Sequence, residues 1–261
     1  MTYLETNSIH LGDCMELMYE IHEGSIDLIL CDPPYGVLNR NNKSADWDQQ
    51  LDLQRMWDLY RWVLKPNGCV VLFSQGLFTA DLIQSNRDWF RYTLVWDKNR
   101  PVGFLNAKRM PLRQHEDICV FYPGKATYNP QMRQCLPSER NHSRGRADGE
   151  SVANRCYGDF TYNKQDITDL KYPTSILQFP RDHSKQGMLH PTQKPIDLMR
   201  YLVRTYSNEG YTVLDNCMGS GTTLVAAIME GRKYIGIEKQ KKYYEIAEQR
   251  IKQQLAQPKL F

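Results

Sequence analysis

Residues 213–238 read "VLDNCMGSGTTLVAAIMEGRKYIGIE". An apolar run ends at Asp215, a glycine-rich turn follows through Gly219, Ser220 and Gly221, and "GTTLVAAIMEG" has the composition of a helix that stops at Gly231. "KYIGIE" then reads as a second strand ending in Glu238. Strand, turn, helix and strand make one βαβ unit of a parallel sheet. In a doubly wound sheet the glycines let a ligand approach the backbone. A carboxylate at the end of the next strand, here Glu238, sits where it can hold two ribose hydroxyls. There is no Walker lysine after Gly221 and no third glycine of the dinucleotide pattern, so the turn is not a phosphate cradle. Asp215 would repel a pyrophosphate and favour a cation. The ligand expected is a nucleoside carrying positive charge, and S-adenosyl-L-methionine has the adenosine, the ammonium and the sulfonium.

The same alternation runs outward from this unit. Strands are expected at 26–31, 69–73, 91–96 and 117–122, and helices at 50–64, 77–86, "PIDLMRYLVRTYS" and 240–255. The class is α/β. Between about 124 and 189 the periodicity fades into a segment rich in Arg, Asn, Ser, Gly and Tyr. So long an irregular stretch reads as an inserted recognition element or as disorder. The organisation expected is 1–123 as one half of a domain, 124–189 as the insertion and 190–261 as the second half.

The chain has 261 residues, 41% of them hydrophobic, and a formal charge of +3, which permits a polyanion partner without requiring one. No run approaches the ~18–20 apolar residues of a membrane span, and the first residues lack a signal-peptide pattern, so a cytoplasmic protein is expected. The cysteines at 14, 31, 69, 119, 135, 156 and 217 are scattered singly, with no zinc-ligand spacing and no metal site expected.

A second motif stands at 31–36, "CDPPYG", where a buried strand meets two prolines. Pro33 and Pro34 remove two donors and fix two φ angles, so the strand ends in a rigid turn. Asp32 and Tyr35 flank that turn with a carboxylate and a flat ring.

"DPPY" at 32–35, "HPTQKP" at 190–195 and "GSGTT" at 219–223 together resemble the amino-methylating DNA methyltransferases, which act on adenine N6 or cytosine N4. Further matching pieces are "GDC" at 12–14, "LKPNGCVVLF" at 64–73 and "RQHEDICVFYPGK" at 113–125. The catalytic motif precedes the cofactor motif, as in the permuted β group of that family. The resemblance implies a Rossmann-like, seven-stranded, mostly parallel sheet with helices on both faces and an inserted target-recognition segment. It also implies S-adenosyl-L-methionine as methyl donor and double-stranded DNA as substrate. Dimers are frequent in the resembling group, and its members occur in restriction pairs, in phages or alone; a second copy and a cognate restriction endonuclease both stay open.

The chemistry that follows is specific. An exocyclic amine is a poor nucleophile because its lone pair is delocalised into the ring. If Asp32 and the Pro33 carbonyl accept its two N–H bonds, the pair localises toward the methyl donor, and Pro34 offers no competing donor. Tyr35 gives the flipped base a face to stack on. Residue by residue, the resemblance places Asp215, Cys217 and Gly219, Ser220, Gly221, Thr222 and Thr223 along the methionine part of the cofactor. It places Glu238 on the ribose, Asp13 and Cys14 near the adenine, and His190, Thr192 and Lys194 at the methionine carboxylate. Asn216-Cys217 depart from the Pro-Phe usual in the family, which removes an aromatic contact.

For DNA, the expected contacts are Arg100, Lys108 and Arg109, within a basic stretch interleaved with Trp96 and Phe104, and Arg133, Arg144 and Arg146 in the irregular segment. Adenine N6 is the expected target, since "DPPY" resembles the adenine enzymes more often. Cytosine N4 is the alternative, and a glutamine side chain of a protein a more distant one. An inactive DNA-binding module with the same fold is the reading from another class.

Overall fold

The computed structural model describes residues 3–36, 48–135, 151–152, 158, 160–161, 169–181 and 193–257. The chain divides into two units, one formed by Met1–Asn129 with Ser175–Phe261 and the other by Pro130–Thr174.

In the larger unit the strands are β1 (Ser8–Leu11), β2 (Ile26–Cys31), β3 (Leu64–Ser74), β4 (Phe90–Val102), β5 (Arg113–Phe121), β6 (Ile176–Gln178), β7 (Thr212–Asp215) and β8 (Lys233–Glu238). The helices are α1 (Cys14–Leu17), α2 (Leu53–Val63), α3 (Leu77–Ser85), α4 (Ile196–Tyr206), α5 (Thr222–Met229) and α6 (Lys241–Leu255). The strands form one sheet in the order β1-β8-β7-β2-β3-β5-β4-β6. β5 is antiparallel to both its neighbours, and every other adjacent pair is parallel.

Seven strands were expected, and the described residues give eight. The extra one, β6, lies within the stretch read as an insertion, because the chain rejoins the main unit at Ser175. Trp96 Nε1 donates to the Phe179 carbonyl at 2.8 Å and holds that edge. β3 begins earlier than the sequence suggests, at Leu64, and its pairing with β2 shifts register between Ile26 and Leu28. The "KPNG" stretch, expected to separate a helix from a strand, is instead an irregularity within β3.

All six residues of β2 are buried, as expected for a central strand covered on both faces. Leu28 and Leu30 pack with Leu198, Leu202, Leu224 and Ala247 of α4, α5 and α6. Ile29 and Cys31 pack with Met56, Trp57, Tyr60, Phe78 and Leu82 of α2 and α3. Asp27 is the buried exception: both its oxygens lie 2.8 Å from Lys65 Nζ, and Oδ2 also accepts the Thr212 N–H at 2.9 Å. The one carboxyl group in this strand therefore ties β2 to β3 and β7.

Helix α5 presses on the sheet at Gly236 in β8. A Cβ there would lie 2.3 Å from Leu224 Cδ1 and 2.6 Å from Met218 Sδ. Both atoms belong to the glycine-turn unit, so this contact sets how closely the turn sits against the strand that carries Glu238.

The smaller unit contains two short antiparallel pairs, Arg133–Gln134 with Leu170–Lys171 and Ser151–Val152 with Phe160–Thr161. Arg133 is on the first of these. Arg144 and Arg146, with His190 and Thr192, lie outside the described residues.

Gly236→Ala is expected to lower stability by about 1–3 kcal/mol through overpacking against Leu224 and Met218, measured as a fall in the urea midpoint at unchanged slope.

Candidate active site

The carboxyl ends of β1, β2, β7 and β8 open on a cavity of about 890 Å³. Open α/β sheets bind ligands at that edge. Its wall includes Asp32, Pro33, Pro34 and Tyr35 from the end of β2, and Cys217, Gly219 and Glu238 from the glycine-turn unit. Two motifs some 180 residues apart in sequence thus share one cavity.

Asp32 is held from two sides. Its Oδ1 accepts the Tyr35 hydroxyl at 2.7 Å, and its Oδ2 is 2.5 Å from Lys194 Nζ. The Tyr35 and Gly36 N–H groups donate to Asp48 Oδ1 at 2.9 and 3.1 Å, which locks the turn after the prolines. One face of the Tyr35 ring stacks on Phe78, with centroids 5.0 Å apart, so a base could use only the other face.

Lys194 also faces Glu116 Oε2 at 3.2 Å, and Glu116 Oε1 is 2.5 Å from Lys98 Nζ. Two partly buried carboxylates and two buried ammonium groups therefore form a chain in the order Asp32, Lys194, Glu116, Lys98. Burial raises the Asp32 carboxyl against the pull of Lys194. Burial alone would lower Lys194, but the charges of Asp32 and Glu116 outweigh it and hold the ammonium above the usual lysine range. Burial would likewise raise Glu116, yet Lys194 and Lys98 keep it below the usual carboxylate range. Glu116 Oε2 is buried, with the Lys194 ammonium as its polar neighbour.

On the opposite wall both Glu238 oxygens are positioned by backbone N–H groups, Oε2 by Gly219 at 2.9 Å and Oε1 by Gln240 at 2.7 Å. Burial raises this carboxyl against those two bonds. The two oxygens are acceptors held side by side, a pair that fits the two hydroxyl donors of a vicinal diol. Asp13 caps α1 by accepting the Met15 N–H at 2.9 Å and pairs with Lys239 at 3.0 Å.

Six of the residues expected to hold the cofactor line the cavity: Asp13, Cys14, Lys194, Cys217, Gly219 and Glu238. Asp215, Ser220, Gly221, Thr222 and Thr223 do not line it; all five are buried. Their polar groups are spent inside the protein. Arg250 of α6 donates to the Ser220 carbonyl at 2.5 Å and to Thr222 Oγ1 at 2.9 Å, while Asp215 accepts the Cys217 N–H at 3.1 Å and a hydrogen bond from Thr223. Gly221 has φ +76°, and a Cβ there would come within 2.9 Å of Ala247 Cβ, so the residue brings the turn onto α6. These side chains shape the turn rather than the wall. Lys194, assigned by resemblance to the cofactor carboxylate, is found on Asp32.

Glu116, Gln75 and Arg181 were not singled out as site residues by sequence, and all three line the cavity together with Trp96, expected within the DNA-contacting stretch. Glu116 lies within the matching piece at 113–125, just before the strand expected at 117–122, with no role assigned to it. Cys14, Cys31 and Cys217, scattered in sequence, come together, with Cys217 beside each of the other two. The departure at 216 also has a structural use, because Asn216 Oδ1 accepts the buried Tyr60 hydroxyl at 2.8 Å. Arg100, Lys108 and Arg109 are exposed and lie outside the cavity wall.

The chain belongs to the DNA methylase family, whose model matches residues 26–249. It is similar to the Type II methyltransferase M.HinfI of Haemophilus influenzae, with 27% identity over 271 residues, 95% of this chain and 68% of that protein. Among solved structures, that of M1.HpyAVI in complex with SAM has a TM-score of 0.62 at 23% identity, covering 94% of this chain and 98% of that one. PvuII DNA methyltransferase (cytosine-N4-specific) has a TM-score of 0.67 at 17% identity, covering 95% and 87%. The fold is that of the methyltransferases, as the motifs imply. No described helix is long and apolar enough to cross a membrane.

Burial pushes the Asp215 carboxyl up to about 7, against hydrogen bonds from Thr223 and the Cys217 N–H. In the unfolded chain this group ionises near 3.8, so between about pH 4 and 7 the unfolded state releases a proton that the folded state keeps. Stability falls as pH rises through that window. Asp215→Asn should remove the slope: relative to the wild type, its unfolding free energy should rise between pH 4.5 and 7.5 by up to about 3 kcal/mol, read from urea titrations at both values.

Proposed function

We propose that this chain moves a methyl group from S-adenosyl-L-methionine to adenine N6 of a base flipped out of double-stranded DNA. The observation that carries the reading is the presence of Asp32–Tyr35 and Glu238 in one cavity, each carboxylate held in place by bonds that leave an acceptor free. Glu238 would take the ribose diol, Asp13 and Cys14 would adjoin the adenine, and Cys217 and Gly219 the methionine part. The cofactor, when bound, supplies an electrophilic methyl on a sulfonium. Transfer is a direct displacement with no covalent enzyme intermediate.

The protein's own task is to make the amine nucleophilic. Asp32 accepts one amine N–H and the Pro33 carbonyl the other, and Pro34 offers no backbone donor to compete. Localising the lone pair and fixing its direction lowers the barrier by positioning. Asp32 is freest for this when Lys194 yields its Oδ2. Glu116 Oε2, already 3.2 Å from the ammonium, gives that charge a second seat without leaving it unpaired. From there Lys194 would serve the cofactor carboxylate.

Adenine is preferred to cytosine because the intact Asp-Pro-Pro-Tyr resembles the adenine enzymes more often. The geometry serves either amine, and the similar PvuII enzyme is cytosine-N4-specific, so cytosine N4 is the second reading. Arg100, Lys108, Arg109 and Arg133, with Arg144 and Arg146, are proposed to contact DNA, a homodimer and a cognate nuclease being compatible with the reading. The proposed halves 1–123 and 190–261 with an inserted 124–189 follow the same logic, although the structure draws the smaller unit more narrowly.

Expression in a host without its own DNA methylation, with the genomic DNA read by single-molecule sequencing, should show modified adenine at one short motif. Asp32→Ala should lower the rate by about 10²–10³-fold; a signal on cytosine would select the second reading, and unmodified DNA from folded protein would reject both. Glu238→Ala should weaken cofactor binding by about tenfold or more with DNA binding unchanged, read by calorimetry.

A further inference from the structure

The β4–β5 pair ends with Val102 opposite Arg113, and both residues line the cavity. The ten residues between them, Gly103–Leu112 or "GFLNAKRMPL", therefore rise from the cavity rim. Their tip is apolar and outside: Phe104 is 78% and Leu105 84% exposed, with Met110 at 53%. The backbone supports itself. Asn106 N donates to Gly103 O at 2.9 Å, Ala107 N to Phe104 O at 3.1 Å, and Arg109 N and Met110 N to Asn106 O at 2.8 and 3.0 Å. Two large hydrophobes are thus held in water on a formed turn. Around them stand the exposed cations Arg100, Lys108 and Arg109, and no acidic residue occurs between Asp97 and Glu116.

We propose that Phe104 and Leu105 are a wedge that enters the base stack beside the target and fills the space it vacates, while Arg100, Lys108 and Arg109 hold the flanking phosphates. The positive charge selects a polyanion. The position selects DNA, since the wedge springs from the rim of the cavity that must receive the flipped base. Apolar side chains are what proteins insert between base steps when they unstack them. The inference rests on the flipping reading above.

The test uses the full chain and a duplex carrying its sequenced motif, with 2-aminopurine at the target position. Binding of the wild type should raise the fluorescence. The double variant F104A/L105A, altered only at exposed side chains, should lose most of that rise and methylate matched DNA about ten- to a hundredfold more slowly. Its cofactor affinity should be unchanged. A mismatch at the target pair removes the unpairing cost, so it should return the variant to within about threefold of the wild type. K108A/R109A should weaken binding to every duplex alike and reduce the salt slope by about 2. The wedge is overturned by a wild-type fluorescence rise in F104A/L105A, or by a rate loss that the mismatch leaves in place. It is equally overturned if F104A/L105A loses self-association with flipping intact, which would make the tip an interface between copies. Wild-type methylation without any fluorescence rise would reject flipping itself, and the wedge with it.

Discussion

Four parallel strands, β1, β8, β7 and β2, finish at one edge of the sheet, and a carboxylate stands at or just beyond the end of each: Asp13, Glu238, Asp215 and Asp32. Like charges a few ångströms apart near a protein surface repel by roughly 2–4 kcal/mol, so the edge is tolerable only if each acid is treated separately. Asp13 has Lys239 and a helix N-terminus. Glu238 has two backbone N–H groups. Asp215 is buried deeply enough to stay protonated into the neutral range. Asp32 has Lys194, which arrives from the far side of the irregular segment. The cavity is the space over these four solutions, and its chemistry differs along its length because the solutions differ.

That arrangement also keeps the Asp32 carboxylate paired at the cavity. A buried ion pair broken by removing one partner strands a charge, and here Lys194 lies between two acids, 2.5 Å from Asp32 and 3.2 Å from Glu116, with Lys98 on the far side of Glu116. Trp96 and Phe73 add ring faces near the Lys194 ammonium, at 5.9 and 4.7 Å to the centroids, which further steadies it out of water.

What the sequence made legible followed from periodicity and from punctuation. β2, β7, β8 and α4 to α6 were readable because buried parallel strands are short apolar runs and their helices have clear stops, and "DPPY" and "GSG" because proline and glycine change the backbone itself. β1 and β6 were not readable: four and three residues are too few to show a pattern, and their existence depends on a neighbour's free edge. The site divided in the same way. Asp32 and Glu238 sit at strand ends that the sequence marks. Glu116 sits inside a strand, and only pairing with β3 and β4 aims it at the cavity. Ser220, Thr222 and Thr223 were read as contacts because they share the motif, but Arg250, one turn before the end of α6, takes up the polar groups of the first two. The meeting of Cys14, Cys31 and Cys217 depends on three separate strand ends and had no local signal.

The order of these elements along the chain has a consequence for synthesis. β2 is the centre of the sheet, yet one of its two neighbours is β7, and 185 residues separate Asp27 from the Thr212 N–H that it binds. At usual translation speeds that interval is roughly 10 to 40 s. Throughout it, a fully buried strand has one edge without a partner, and the face bearing Leu28, Leu30, Val71 and Phe73 awaits α4 and α5. The nascent amino-terminal half is therefore a sheet with an open seam, a state prone to pairing with other chains. Its protection in the cell falls to whatever holds emerging chains until the last fifty residues close the seam from behind.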